Sequence, residues 1–471
     1  MPNLEYDHLF TGDPHAASFL DGDHPREECG VVGLFGVKDA APMAALGLHA
    51  LQHRGQESAG IVSCDEKELH LHRGMGLVAQ VFGRGEAQRL PGTASIGHVR
   101  YSTAGTSSFV NAQPLVARYV GGDIALAHNG NLAKGAGMGR ALLETGALLQ
   151  TGTDSELFLH MLAQAHATTD EAMAAVFAKA EAAFALVALL KDRLIAARDP
   201  WGFRPLVLGR IGQGYVIASE TCAFDQMGAT FEREVEPGEM IVCTAGGMRS
   251  LYFGDRSVPK AKCLLELIYF ARPDSVVFGR TPHIFRKESG RVLAQEQPVE
   301  ADIVVAIPDS GMSAAQGFAE GMGIPMDRGL IRNHYVGRSF IAPGQAARAT
   351  AVRMKHNVVR EVVRGKRVVL VDDSLIRGTT TAALGKELRD AGATEVHLRI
   401  ACPPTKHPCH YGVDFPSHKE LMAYKHSIDQ IRSILNMNSL GYLSLEGLKG
   451  IFSKEESGFC HACWSGEYMV K

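Results

Sequence analysis

The hydrophobic positions of this chain fall into two regimes. Between Cys29 and about Tyr252, short apolar runs are broken by glycines and polar turns: GVVGLFG, AGIVS, ASIGHVR, IALAHNGN, FALVALL, RLIAARD and GYVIASE. Such runs bounded by turn residues predict the strands of stacked sheets. Apolar positions three and four apart predict covering helices at 40–52 and 154–167. Past about Arg256, strand and helix alternate: ADIVVAIPDSG runs into MSAAQGFAEGMG, KRVVLVDDS into TTTAALGKELRDAG, and EVHLRIACPP follows. That order predicts a parallel sheet wrapped by helices. The stretch HKELMAYKHSIDQIRSILN reads as a helical appendage. The change of pattern places a boundary near 252–262, with neither a repeat nor a low-complexity linker across it.

Composition agrees with two compact domains: 471 residues at 46% hydrophobic content exceed one ordinary core. The 48 basic and 51 acidic residues leave a net charge of -3, no footprint for nucleic acid or an anionic membrane, so a small-molecule substrate is expected. The longest apolar runs, such as ALVALL at Ala185 to Leu190, are far too short to span a bilayer. Before Cys29 stand seven acidic residues and one basic residue, Arg26, with no apolar core of the secretory kind, which favours a cytoplasmic protein. Nine cysteines, an odd number, suit a reducing compartment where thiols act as nucleophiles or metal ligands.

Two segments carry chemistry in the second half. In RVVLVDDSLIRGTTT (Arg367 to Thr381) a buried strand ends in Asp372 and Asp373 and passes into a Gly-Thr loop at a helix start. Ligands of open α/β sheets bind at strand carboxyl ends. The loop's N–H groups and hydroxyls favour a phosphate, and paired carboxylates suit ribose hydroxyls or a hard cation. Each feature alone is ordinary turn or cap chemistry; together they are not. The segment resembles the phosphoribosyl pyrophosphate motif of type I phosphoribosyltransferases. The resemblance implies that Asp372 and Asp373 take the ribose and that Ser374, Arg377, Gly378, Thr379 and Thr380 take the 5-phosphate. Upstream, VVAIPDSGMSAAQG repeats the strand–turn–helix logic, and the resemblance makes Ser310 an Mg²⁺ ligand with the two aspartates. The basic stretch 332–357 resembles the loop that closes over pyrophosphate, with Arg338, Arg348 and Lys355 as phosphate contacts and His334 where an arginine is expected.

In the first half, Cys29 precedes GVVGLFG, and QHRGQESAG, HVRYSTAG, HNGN and TDSE follow in order. This set resembles the class II, or N-terminal nucleophile, glutamine amidotransferases. The resemblance implies a propeptide, 1–28, whose removal makes Cys29 the first residue and its α-amine, with a pKa of about 7.7 to 8.0, the general base. It further implies Asn129 and Gly130 as oxyanion donors, Arg100 for the glutamine carboxylate and Asp154 for its ammonium.

Four more cysteines remain: Cys263 in KAKCLLELIYFARPDS, Cys409 in PPTKHPCHYGVD, and Cys460 and Cys463 in CHAC. Four thiolates suit iron or zinc alike, and Cys402 is a rival to Cys409. The segments resemble the iron–sulfur type of amidophosphoribosyltransferases, which implies one 4Fe-4S cluster and one Mg²⁺ per subunit. The resemblance covers nearly the whole chain after Cys29. It implies an αββα sandwich over 29–254 followed by a type I phosphoribosyltransferase α/β domain over 255–471. The activity expected is formation of 5-phosphoribosylamine, glutamate and pyrophosphate from phosphoribosyl pyrophosphate, glutamine and water, with ammonia passing between two sites. A homotetramer inhibited by purine nucleotides is expected with it.

Overall fold

The computed structural model describes residues 29–101, 107–132, 135–255, 257–333, 356–413, 417–452 and 458–469. Residues 1–28 and the stretch holding His334, Arg338, Arg348 and Lys355 lie outside them.

Four layers build the first half. The strand β1 (Gly30–Phe35) lies next to β2 (Ala94–Arg100) at the middle of a seven-stranded antiparallel sheet. A six-stranded antiparallel sheet holds β3 (Gly122–Leu132) beside β4 (Ala182–Leu189). The helix α1 (Ala40–Ala50) covers the first sheet and α2 (Ser155–Gln164) the second. β1 is apolar without alternation because both its faces are buried. A side chain at Gly33 would meet Leu194 and Val187 of the second sheet, whereas one at Gly97 would meet Leu48 of α1. Three apolar clusters fill the three gaps of this αββα stack: Leu34 with Leu48, Val187 with Ile217, and Phe158 with Phe184.

The second half is one core around a four-stranded parallel sheet, β5 (Ile303–Ala306), β6 (Arg367–Asp372), β7 (Glu395–Ile400) and β8 (Ser439–Tyr442), in the order β5-β6-β7-β8. Helices α4 (Met312–Met322) and α5 (Thr379–Asp390) pack on it, and α3 (Pro282–Glu296) packs on α4. α3 and α4 approach closely at Gly290 and Gly317, where an added Cβ would lie 1.9 Å from the Ala314 oxygen and 1.8 Å from the Lys287 oxygen.

One expectation needs correction. The 418–436 stretch is three short pieces, a 3-10 turn at His418–Glu420 and helices at Met422–Lys425 and Ile428–Ile434, and the chain then returns as β8. Ser427 breaks the run by capping the last helix, accepting from Gln430 N. The apolar run LLELIYF contains a single π turn, Glu266–Phe270, closed by Ala271 N to Glu266 O at 3.0 Å.

Candidate active site

Cys29 sits at the start of β1, 7% exposed, its Sγ 3.4 Å from the Tyr101 oxygen at the end of β2. Antiparallel pairing of Gly30 with Val99 puts Arg100 beside it. The turn Gln52–Arg54 abuts Arg100 because Gly55 has no side chain: a Cβ there would lie 2.6 Å from the Arg100 carbonyl carbon. Burial pushes the Cys29 thiol up to about 11, while Arg100 pulls it down and Glu57 and Asp154 push it up. Arg100 is buried, with Nη1 3.5 Å from Glu57 Oε2. Asp154 precedes α2, and its Oδ2 accepts from Leu132 N at 2.8 Å. The first half therefore brings together Cys29, Arg100 and Asp154, and adds Glu57 and Tyr101.

β3 and β4 pack across β1 and β2. His98 Nε2 donates to the His128 oxygen at 3.1 Å, linking β2 to β3 one residue before Asn129. Asn129 is 1% exposed, and among the described residues neither its amide oxygen nor its nitrogen has a hydrogen-bond partner. Leaving such a group buried costs about 1–3 kcal/mol unless something binds it. Gly130, at φ 145, admits no side chain, since a Cβ would lie 1.9 Å from the Ala183 oxygen.

Asp372 ends β6 and Asp373 follows, both 1% exposed. Asp373 N donates to Asp372 Oδ1 at 3.0 Å and Ser374 Oγ to Asp373 Oδ1 at 2.6 Å. Arg377 is half-buried. Gly378, at φ 77, turns the chain into α5, whose first residues are Thr379, Thr380 and Thr381. Ser310 lies in the turn between β5 and α4, half-exposed. That turn presses on the acidic pair: an added Cβ at Gly311 would lie 2.6 Å from the Val371 oxygen and 3.2 Å from Asp372 Cα. Two carboxylates and a hydroxyl, all hard oxygen donors, fit a divalent cation such as Mg²⁺.

Cys263, Cys409, Cys460 and Cys463 line one enclosed cavity of about 20 Å³ with Phe203, Leu265 and Tyr411. Parallel pairing of Lys262–Cys263 with Phe459–Cys460 sets two of them opposite each other. Burial pushes the Cys263 thiol up to about 11, and burial with the neighbouring sulfurs raises Cys460 and Cys463. Four soft thiol sulfurs around one cavity fit a sulfur-ligated metal centre, iron–sulfur or zinc. Cys402 turns to the Pro403 oxygen at 3.4 Å and does not line the cavity.

The halves meet through buried charge. Arg54, 1% exposed, bonds Glu266 Oε2 through Nη2 at 2.6 Å and Glu220 through Nε, and Arg204 Nη1 lies 3.5 Å from Glu266 Oε1. The loop after Cys409 is held by Asn131 Nδ2 donating to the His410 oxygen at 3.0 Å, by Arg204 donating to the Tyr411 oxygen, and by Tyr411 stacked on Phe203 at 4.2 Å. Sequence reasoning missed Arg54, Arg204, Glu220 and Glu266; a lone Glu inside the apolar CLLELIYFA is the signal that was there.

Residues 98–226 match a glutamine amidotransferase domain and residues 287–416 a phosphoribosyl transferase domain. The chain is 48% identical over 452 residues to an amidophosphoribosyltransferase of Bacillus subtilis, covering 95% of each chain. It is 47% identical to a chloroplastic amidophosphoribosyltransferase of Vigna aconitifolia, covering 97% of this chain and 94% of that one. The solved glutamine phosphoribosylpyrophosphate amidotransferase of B. subtilis, complexed with ADP and GMP, superposes with a TM-score of 0.89 at 46% identity, covering 94% of this chain and 98% of that one.

Proposed function

The chain belongs to the amidophosphoribosyltransferases, the glutamine-dependent enzymes of the first step of purine biosynthesis, and from that premise we propose how its residues divide the work. Removal of residues 1–28 frees the Cys29 α-amine. That amine takes the proton which burial otherwise keeps on the thiol, and the thiolate attacks the glutamine side-chain amide. Arg100 holds the glutamine carboxylate and Asp154 its ammonium. Asn129 and Gly130 donate to the oxyanion as it forms. The observation that carries this assignment is Asn129, buried with both side-chain polar atoms unpartnered among the described residues.

Asp372 and Asp373 take the ribose hydroxyls, and the loop Ser374 to Thr380 takes the 5-phosphate at the start of α5. Ser310, Asp372 and Asp373 would hold one Mg²⁺ per subunit, which when bound would neutralise the departing pyrophosphate. Arg338 and Lys355 contact the pyrophosphate. Cys263, Cys409, Cys460 and Cys463 would hold one 4Fe-4S cluster per subunit, which would serve to tie the C-terminal segment to the domain interface. Ammonia crosses that interface. Two domains span 29–254 and 255–471.

Purine nucleotides inhibit a homotetramer of this chain; the B. subtilis relative that binds ADP and GMP supports the ligand class. Among the described residues no helix is long and apolar enough to cross a membrane. All nine cysteines are free thiols, which supports a reducing, cytoplasmic setting. The intact mass of active protein tests the trimming: a chain beginning at Cys29 is expected, and full activity with residues 1–28 attached refutes it.

A further inference from the structure

A buried polar chain runs from α3, which packs on the helix that follows the Ser310 turn, to the back of Cys29. Its first member is Arg286 on α3, 5% exposed. Arg286 Nε donates to the Leu267 oxygen at 2.8 Å, and Nη2 donates to the oxygens of Tyr269 at 2.9 Å and Ala271 at 2.7 Å. One guanidinium thus clasps three carbonyls of the π turn Glu266–Phe270 and its exit.

The second member is the turn itself. Its first residue, Glu266, is fully buried and takes Arg54 in two-pronged fashion, Nη2 to Oε2 at 2.6 Å and Nη1 to Oε1 at 3.3 Å. Its exit is gripped from the glutaminase side, where Glu220 Oε2 accepts from Arg272 N at 2.9 Å and Ser275 Oγ at 2.6 Å. Arg54 is the third member. A Cβ built on Gly30 would stand 3.5 Å from Arg54 Cβ and 3.1 Å from Leu51 Cβ, so the arginine's turn forms the wall behind Cys29–Gly30.

This wiring has the properties of a transmitter. α3 is keyed to α4 at Gly290 and Gly317 with no room to slide, His283 Nδ1 meets Ser313 Oγ at 2.9 Å, and α4 follows directly from the Ser310 turn. α3 and α4 therefore join the Ser310 turn to Arg286 as closely packed helices. A bidentate Arg–Glu pair buried on both sides passes on displacement and direction, because a small misalignment breaks both bonds. A single π turn is rare and, where it occurs, frequently marks a functional site.

We propose that Arg286 and Glu266 are positioning residues that couple glutamine hydrolysis to occupancy of the phosphoribosyl pyrophosphate site, acting through the π turn and Arg54 on Cys29–Gly30. The inference rests on the assignment of Ser310 to the phosphoribosyl site and of Cys29 to glutamine hydrolysis. Neither Glu266 nor Arg286 touches a substrate in this scheme; each sets where another group stands.

The test measures three rates on wild type, Glu266→Gln, Arg286→Lys and the double variant. The rates are glutamine hydrolysis alone, glutamine hydrolysis with saturating phosphoribosyl pyrophosphate, and phosphoribosylamine formation from added ammonia. The expected result is that ammonia-dependent synthesis and unstimulated hydrolysis stay close to wild type, with an unchanged KM for phosphoribosyl pyrophosphate. The ratio of stimulated to unstimulated hydrolysis falls to near unity in each single variant and falls no further in the double. A stimulation ratio equal to wild type overturns the proposal, as do parallel losses in all three rates or losses that multiply in the double variant. Should Glu266→Gln fail to fold, Arg286→Lys, which keeps the charge and loses only the fork, decides on the same criteria. Failure of the underlying assignment looks different: wild type itself then lacks ammonia-dependent synthesis or glutamine hydrolysis.

Discussion

Asn131 Nδ2 donates to the His410 oxygen at 3.0 Å, joining residues 279 positions apart and tying the strand of Asn129 and Gly130 to the loop that follows Cys409. One hydrogen bond of this kind contributes about 0.5–1.5 kcal/mol. Asn131→Ala is expected to lower glutamine turnover several-fold, up to about tenfold, while ammonia-dependent phosphoribosylamine synthesis is unchanged. Steady-state assays with each nitrogen source check this, and equal losses with both sources would count against it.

Asn129→Ala removes the side-chain donor proposed for the oxyanion. Loss of such a donor costs about 10²–10³ in kcat, with the KM for glutamine little affected. Because the native amide is buried without a partner among the described residues, the alanine variant is expected to unfold at or above the wild-type temperature. A drop in both activity and melting temperature would assign Asn129 a structural role instead.

The four-thiol cavity predicts about four irons per chain after anaerobic purification, and none in Cys463→Ser. Zinc in place of iron, or iron retained by that variant, contradicts the ligand set. Cys402→Ser is expected to keep the metal, since its sulfur turns to the Pro403 oxygen.

His98 is buried between the sheets, and burial lowers its pKa to about 3 from the usual 6.5. The folded chain therefore keeps this ring neutral while the unfolded chain takes up a proton below pH 6.5. The stability that the neutral ring contributes is complete above pH 6.5 and is lost as pH falls toward 3, at up to about 1.4 kcal/mol per pH unit. His98→Gln keeps an N–H for the His128 oxygen and cannot titrate. Its melting temperature is expected to fall less than that of wild type between pH 6.5 and 4.5, and identical slopes would refute the assignment.

Legibility followed the chain's contiguity. Asp372, Asp373 and Gly378 stand within one strand–loop–helix, so their chemistry shows in a single window of sequence. The sheets of the first half were legible at strands buried on both faces, such as Gly30–Phe35, and obscure at edges such as Leu69–Met75, where LHLHRGM is half-exposed and polar. Arg54, Glu220, Glu266 and Arg286 come from four separate segments, and only Glu266, alone in an apolar run, stands out locally. Only tertiary packing makes them one buried network. Ser427 explains the remaining misreading, since a cap in the middle of a helix-like pattern splits it.

The two sites are expected to work as one. Glutamate and phosphoribosylamine should be measured together in the trimmed enzyme, with and without phosphoribosyl pyrophosphate. The expected result is glutamine hydrolysis strongly stimulated by phosphoribosyl pyrophosphate, equal yields of the two products, and neither product from glutamine with Cys29→Ala. Hydrolysis indifferent to phosphoribosyl pyrophosphate, or glutamate formed without matching phosphoribosylamine, would contradict it.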